Sequence, residues 1–216
     1  MTYAVNEVYP SIQGEGTLAG TPMIVVRLQG CDVGCPFCDT KQTWPAEAPH
    51  TTLSRGPATL LIDDLLALIG SARTGERWVM LTGGEPAAQD LRRLVELLHR
   101  SGLKVQIETS GTYPLDPESP FDWVTVSPKI AMPGGRPIIG GTLARADEIK
   151  HVVGRQEDID ALDTLLAYHH DHLSGDAQIC LQPMSQSPKA TRLAAQTVVA
   201  RGWRLSVQTH KYIGLP

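Results

Sequence analysis

Three cysteines stand within eight residues in Cys31-Asp32-Val33-Gly34-Cys35-Pro36-Phe37-Cys38, with three residues between the first pair and two between the second. Thiolates are the protein's ligands for zinc and for iron–sulfur clusters, and a short loop can aim several of them at one centre. Three is the informative number. A closed structural zinc site or an electron-transfer cluster takes four protein ligands, whereas three leave one coordination position open. Val33 and Phe37 between the thiols, with Gly34 and Pro36 shaping the turn, suit a loop that keeps water from a cluster. The same spacing also accommodates zinc with His50 or Asp39 as fourth ligand, or an ordinary group of reduced thiols. Cys180, alone in an apolar run, reads as a core residue.

Other residues stand out against their surroundings. Arg27 interrupts the continuous β-branched run Pro22–Gln29; a guanidinium there needs an anion, either a structural carboxylate or a ligand carboxylate held by both of its donors. Gly83-Gly84 follows the apolar run Trp78–Thr82, so the backbone can approach a ligand directly. Ser11-Ile12-Gln13-Gly14-Glu15-Gly16 is a glycine-bearing turn that by composition alone is a connecting loop.

These residues must be positioned by regular elements. Alternating or continuous apolar runs predict strands at 4–10, 22–29, 78–82, 105–109, 123–126, 148–153, 177–181 and 204–207. Helical spacing covers 60–69, 89–100, 159–166 and 190–201, and Ser101-Gly102 stops the second of these. Strands alternating with helices predict an α/β fold with a mainly parallel sheet of about six to seven strands. The helix expected between 126 and 148 is weak or missing, so the barrel should be incomplete. One domain spanning 1–216 is expected, without repeats or linkers. In such folds the working residues lie after the C-terminal strand ends. Here those positions hold the three cysteines, Thr82-Gly83-Gly84-Glu85, Glu108-Thr109-Ser110, Ser127-Pro128-Lys129 and Gln182-Pro183.

Composition narrows the classes. With 19 basic and 23 acidic residues the chain carries a formal charge of −4, and it shows no basic run. That excludes the electrostatic footprint of a nucleic-acid binder. No apolar run approaches the ~18 residues of a membrane span. Met1–Glu7 lacks the basic and apolar parts of an export signal, so with reduced thiols the expected location is the cytoplasm.

The chain resembles the 7-carboxy-7-deazaguanine synthases, radical S-adenosylmethionine enzymes of 7-deazapurine (queuosine-type) biosynthesis. The residues carrying the likeness are Gln13-Gly14-Glu15-Gly16, Arg27 to Cys31, Cys35 to Thr40, Thr82 to Pro86, Glu108 to Gly111, Val126 to Lys129, Glu148 to Lys150, Leu181 to Pro183 and Gln208 to Tyr212. The cysteine triad and Gly-Gly-Glu-Pro place it in the superfamily; the opening Gln-Gly-Glu-Gly and the closing Thr-His-Lys-Tyr make the family specific.

The resemblance implies an incomplete (β/α) barrel of the radical S-adenosylmethionine type. It also implies an enzyme, a lyase, converting 6-carboxy-5,6,7,8-tetrahydropterin to 7-carboxy-7-deazaguanine with loss of ammonia. Removing hydrogen from an unactivated carbon is beyond any side-chain acid or base, so a cofactor must carry that step. By the same likeness Cys31, Cys35 and Cys38 hold a 4Fe-4S cluster, and Thr40 ligates Mg²⁺ with the substrate carboxylate. Phe37, Cys38, Asp39, Gly84, Glu108, Ser110, Ser127, Pro128, Lys129, Gln182, Pro183, Met184 and Ser185 frame S-adenosylmethionine.

Ile12, Gln13, Gly14, Glu15, Arg27, Thr82, His210 and Pro216 are the implied substrate contacts, with Arg27 favoured as the partner of the substrate carboxylate over an internal salt bridge. An external electron donor such as a flavodoxin and a homodimer are also implied. The competing readings are another enzyme of the superfamily, such as a glycyl-radical activase, and a non-catalytic zinc or electron-transfer module. Protein prepared without oxygen is expected to contain iron and acid-labile sulfide in equal amounts; zinc in their place would remove the cluster reading.

Overall fold

The computed structural model describes residues 1–215, which form one sheet of nine strands among them. The strands are β1 (Thr2–Ile12), β2 (Pro22–Leu28), β3 (Ala58–Leu61), β4 (Trp78–Gly83), β5 (Lys104–Thr109), β6 (Trp123–Val126), β7 (Glu148–Val153), β8 (Gln178–Pro183) and β9 (Arg204–Leu205). Their spatial order is β3-β1-β2-β4-β5-β6-β7-β8-β9. From β2 through β4 to β9 every neighbouring pair is parallel, while β1 runs antiparallel to both β2 and β3. The outermost strands β3 and β9 do not pair with each other, so the sheet curls without closing.

Helices α1 (Ile62–Ala72), α2 (Arg92–Arg100), α4 (Gln156–Tyr168) and α5 (Pro188–Arg201) make the crossovers. Between β6 and β7 only the single turn α3 (Gly140–Leu143) forms, as the sequence suggests, and a short α6 (Thr209–Ile213) follows β9.

Side chains alternate across a strand, and the two faces of this sheet are chemically different. Ile24, Val26, Leu28, Val79, Leu81, Val105, Ile107, Val124, Val126, Ile149 and Leu181 join Leu65, Ile69, Leu94, Leu98, Ile159 and Leu162 in one apolar core between sheet and helices. On the concave face a much smaller cluster, Met23, Val25 and Met80, sits beside buried polar residues.

Several boundaries differ from the sequence reading. β1 runs past Pro10 to Ile12, because β3 covers only Thr2–Val5 and leaves that edge of β1 unpaired, where a missing N–H costs no ladder bond. The first helix starts at Ile62 rather than Leu60; Ala58–Leu61 alternates buried and exposed and is the edge strand β3. α2 starts at Arg92, after a 3-10 turn at Pro86–Ala88. β8 continues through Gln182 and Pro183, which therefore end a strand instead of opening a loop.

Ile107 is fully buried in the helix-side core. Ile107→Ala is expected to lower unfolding stability by about 2–5 kcal/mol, read from urea denaturation; a loss under about 1 kcal/mol would mean the core collapses around the gap.

Candidate active site

The C-terminal ends of the parallel strands surround a cavity of about 300 Å³, lined among others by Cys31, Cys35 and Cys38, the Ile12–Glu15 turn, Glu108, Lys150, Gln208 and His210. Its volume lies at the small end of the range for small-molecule sites.

Its floor is a buried polar network. Lys150, in the middle of β7 and nearly inaccessible, donates from Nζ to Glu15 Oε2 at 2.5 Å and to both oxygens of Glu108 at 3.1 Å. Gln208 Nε2 donates to the other Glu15 oxygen at 2.7 Å. Gln13 Nε2 reaches Glu108 Oε1 at 2.9 Å and Gln106 Oε1 at 3.0 Å, while its own Oε1 accepts from the Glu15 N–H at 3.1 Å. Deeper still, the Thr17 N–H donates to Glu148 Oε2 at 2.5 Å.

Burial by itself would raise the Glu15 carboxyl, but the Lys150 charge and the Lys150 and Gln208 hydrogen bonds override it and hold Glu15 at about 2. Burial disfavours the Lys150 ammonium, and Glu108, Glu15 and Glu148 outweigh that and raise it, so Lys150 stays charged. Burial lowers Lys129, whose Nζ donates to Ser127 Oγ at 2.5 Å and lies 6.0 Å from the Phe37 ring centroid.

The cysteine loop is pinned from several sides. The Cys31 N–H donates to Trp44 O at 3.2 Å, Gly30 N–H to Thr43 O at 2.8 Å, and Cys38 N–H to Cys35 O at 3.1 Å. Asp32 is clamped by Arg136 at 2.5 Å and by the Tyr113 hydroxyl at 3.1 Å. Gly84 lets the next loop press in. A Cβ there would lie 2.2 Å from Gly30 O, so only glycine permits the Glu85 N–H to reach that carbonyl at 2.8 Å. Glu85, buried, in turn accepts from Thr109 Oγ1 at 2.6 Å and Ser110 N at 2.8 Å, tying the ends of β4 and β5 together. The glycine pair expected to approach a ligand packs against the backbone of Leu28 and Gly30 in this structure.

The C-terminal segment closes the cavity's far side. The Thr209 N–H donates to Gly14 O at 2.8 Å, and a Cβ on Gly14 would lie 1.7 Å from His210 Nδ1. Lys211 Nζ donates to Asp39 Oδ2 at 2.8 Å; burial works against ionisation of Asp39, but the Lys211 bond and charge bring its carboxyl below the ordinary range.

Among the residues singled out from sequence, Cys31, Cys35, Phe37, Cys38, Asp39, Thr40, Gly84, Glu108, Ser110, Ser127, Lys129, Gln182, Pro183, Met184, Ser185, Ile12, Gln13, Gly14, Glu15, Arg27, Thr82 and His210 all line this one cavity. Pro128 is not in its wall but buried behind it. Pro216 lies outside the described residues.

Arg27 departs from the expected preference. Its Nε donates to Glu7 at 2.5 Å and its Nη2 to the Tyr9 hydroxyl at 2.7 Å, so the internal salt bridge is present while Arg27 and Tyr9 both line the cavity. Gln13, offered as a heterocycle contact, has its amide occupied inside the barrel. Thr40 stands at the N-cap of the 3-10 turn Lys41–Thr43, but its hydroxyl makes no capping bond and lies 3.6 Å from Cys38 Sγ. Sequence reasoning assigned no role to Lys150, Gln208, Lys211, Trp44 or Tyr9. Lys150 carried the same signal as Arg27, a charge inside a strand that is otherwise buried.

The zinc alternative loses its fourth ligand: Asp39 is paired with Lys211, and His50 sits at the β3 edge, against Gly56. None of the thiols is in a disulfide. Burial pushes Cys31 up to about 11 and raises Cys35, so a metal centre must displace protons as it binds. Three thiols on one wall of a cavity, shielded by buried Val33 and half-buried Phe37, fit a polynuclear iron–sulfur group with one iron left for another ligand.

An open parallel barrel carrying this loop at its mouth defines a radical S-adenosylmethionine protein, and the model of the radical SAM superfamily matches residues 25–155. Over its full length the chain is 47% identical to the 7-carboxy-7-deazaguanine synthase of Escherichia coli K12, covering 100% of both chains. It is 34% identical to that of Buchnera aphidicola, covering 99% of each. The crystal structure of QueE from Escherichia coli superposes with a TM-score of 0.85 at 46% identity, covering 97% of this chain and 95% of that one. The chain belongs to the 7-carboxy-7-deazaguanine synthase family.

Removing Lys150 would leave two buried carboxylates uncompensated. Lys150→Met is expected to destabilise the fold by about 3–5 kcal/mol at neutral pH. The depressed Glu15 contributes stability that is complete above its ordinary value of 4.5 and is lost as pH falls toward about 2. In the variant, burial raises the same carboxyl instead, so the gap between the two proteins should narrow as pH drops from 7 to 4. An equal gap in urea titrations at both pH values would show that Lys150 contributes packing rather than charge.

Proposed function

We propose that this protein converts 6-carboxy-5,6,7,8-tetrahydropterin to 7-carboxy-7-deazaguanine with loss of ammonia, as an Mg²⁺-dependent radical S-adenosylmethionine lyase. The observation that carries this reading is the convergence, in one cavity of a member of the synthase family, of three thiols and a charged carboxylate–lysine network. An activase acting on a partner protein has no support among the full-length relatives, which are named as synthases.

The 4Fe-4S cluster and S-adenosylmethionine, when bound, supply the one-electron chemistry that removes hydrogen from an unactivated carbon. The chain does the rest. Cys31, Cys35 and Cys38 hold the cluster and leave one position open, while Val33 and Phe37 keep water from it. Gly84, Glu108, Ser110, Ser127, Lys129 and Gln182 to Ser185 frame the cofactor. Glu15, kept ionised by Lys150, and the backbone of Ile12, with Gly14 beside them, face the amino and ring N–H groups of the pterin, which need acceptors.

Arg27, oriented by Glu7 and Tyr9, offers its remaining N–H donors to the substrate carboxylate. Thr82 and His210 complete the pocket. The Thr40 hydroxyl serves as the single protein ligand of Mg²⁺, with the substrate carboxylate and water supplying other oxygens. An external one-electron donor such as a flavodoxin, a homodimer, a cytoplasmic location and a single domain over 1–216 complete the reading. Among the described residues no helix is long and apolar enough to cross a membrane.

Anaerobic incubation with the tetrahydropterin, S-adenosylmethionine, reductant and Mg²⁺ is expected to yield the deazapurine chromophore; cleavage of S-adenosylmethionine without it would point to another substrate. Thr40→Ala is expected to keep the cluster absorption and lose the stimulation of turnover by Mg²⁺. An unchanged Mg²⁺ dependence would take Thr40 out of the metal site.

A further inference from the structure

Trp44 follows the 3-10 turn Lys41–Thr43 and folds back over the cysteine loop from both ends. Its carbonyl accepts from the Cys31 N–H at 3.2 Å, and its indole Nε1–H donates to Cys38 Sγ at 3.4 Å. One residue therefore links the first and third cysteines of the triad, its carbonyl holding the Cys31 backbone and its indole reaching the Cys38 sulfur. The ring lines the cavity and is half-buried, and the Lys41 ammonium lies 5.5 Å from its centroid. A cation over the ring face draws electron density from the indole and strengthens its N–H as a donor.

We propose that Trp44 sets the reduction potential of the cluster through its indole N–H. The inference rests on the reading that Cys31, Cys35 and Cys38 hold the 4Fe-4S group. Reduction adds one electron, delivered by an external one-electron donor, to a cluster already carrying three thiolates; no bond to the protein forms or breaks and no proton moves. The reduced state is more negative by one charge, so a donor aimed at a ligand sulfur stabilises it more than the oxidised state. Hydrogen bonds to cluster sulfurs are a recognised lever on such potentials. Trp44 is thus a positioning residue, acting on the cluster through Cys38.

Trp44→Phe removes the N–H while keeping an aromatic ring and the backbone bond to Cys31. Reconstituted wild-type protein and variant are titrated with dithionite and redox mediators, following the reduced cluster by electron paramagnetic resonance. Iron and sulfide are assayed on the same samples. With equal iron and sulfide, the variant's midpoint is expected to fall by about 59 mV, a tenfold drop in the one-electron reduction constant; Lys41→Met should shift it less in the same direction.

An unchanged midpoint in a fully loaded Trp44→Phe protein overturns the proposal. Should that variant fail to hold the cluster, the wild-type protein exchanged into ²H₂O decides. An exchangeable deuteron coupled to the reduced cluster, and unaffected by Thr40→Val, supports the indole donor, and absence of one overturns it. Absence of iron and sulfide from the wild type would instead remove the cluster reading itself, a separate failure.

Discussion

The Lys150 ammonium is almost fully buried at the base of the cavity, and its charge survives there because two carboxylates reach it, Glu15 from the turn after β1 and Glu108 from the end of β5. Burial by itself would drive Lys150 and Glu15 toward their neutral forms. Together the three groups fix the distance between the N-terminal turn, the middle of the sheet and β7. Gln13 and Gln208 extend the constraint to the C-terminal segment, so the ring of loops that forms the cavity is held by one connected set of polar contacts.

That arrangement divides the labour of the two sheet faces. The helix-side face is mainly apolar and supplies stability in the ordinary way, by burial of branched side chains. The concave face has little apolar contact of its own and so contributes specificity of shape instead: polar pairs that are satisfied in only one arrangement position the loops above them. The barrel stays open between the outer strands β3 and β9, and the 132–136 segment, in the crossover that forms only α3, packs on the cysteine loop through the Gly134 N–H to Val33 carbonyl bond. A site that must admit two sizeable ligands needs such an opening; a closed barrel filled with side chains would have no room.

The cysteine loop depends on backbone more than on its own side chains. Gly30, Cys31 and Cys38 are each fixed by main-chain hydrogen bonds, and Gly84 allows the next loop to meet Gly30 at bond distance. Burial raises the Cys31 and Cys35 thiols above their ordinary range, so a metal centre would have to displace their protons as it binds.

Much of this was legible in the chain. The thiol spacing, the strand–helix alternation and the missing helix before Glu148 are local patterns, and local patterns survive in a one-dimensional text because they reflect periodicity and short-range ligand reach. The small edge strand β3 was hidden because Leu60 and Leu61 also fit the helical spacing of the residues after them. The destination of Arg27 was ambiguous for a different reason: sequence declares that a buried guanidinium needs an anion but not which one, and Glu7 and Tyr9 face it only because β1 pairs antiparallel with β2. Lys150, Gln208 and Trp44 likewise acquired meaning only when strands and turns distant in the chain were brought within hydrogen-bond reach. Residue types and spacing determined what chemistry the protein could perform; partner choice among buried polar groups was decided by the tertiary fold, since desolvated charges are satisfied across space and leave no periodic mark along the chain.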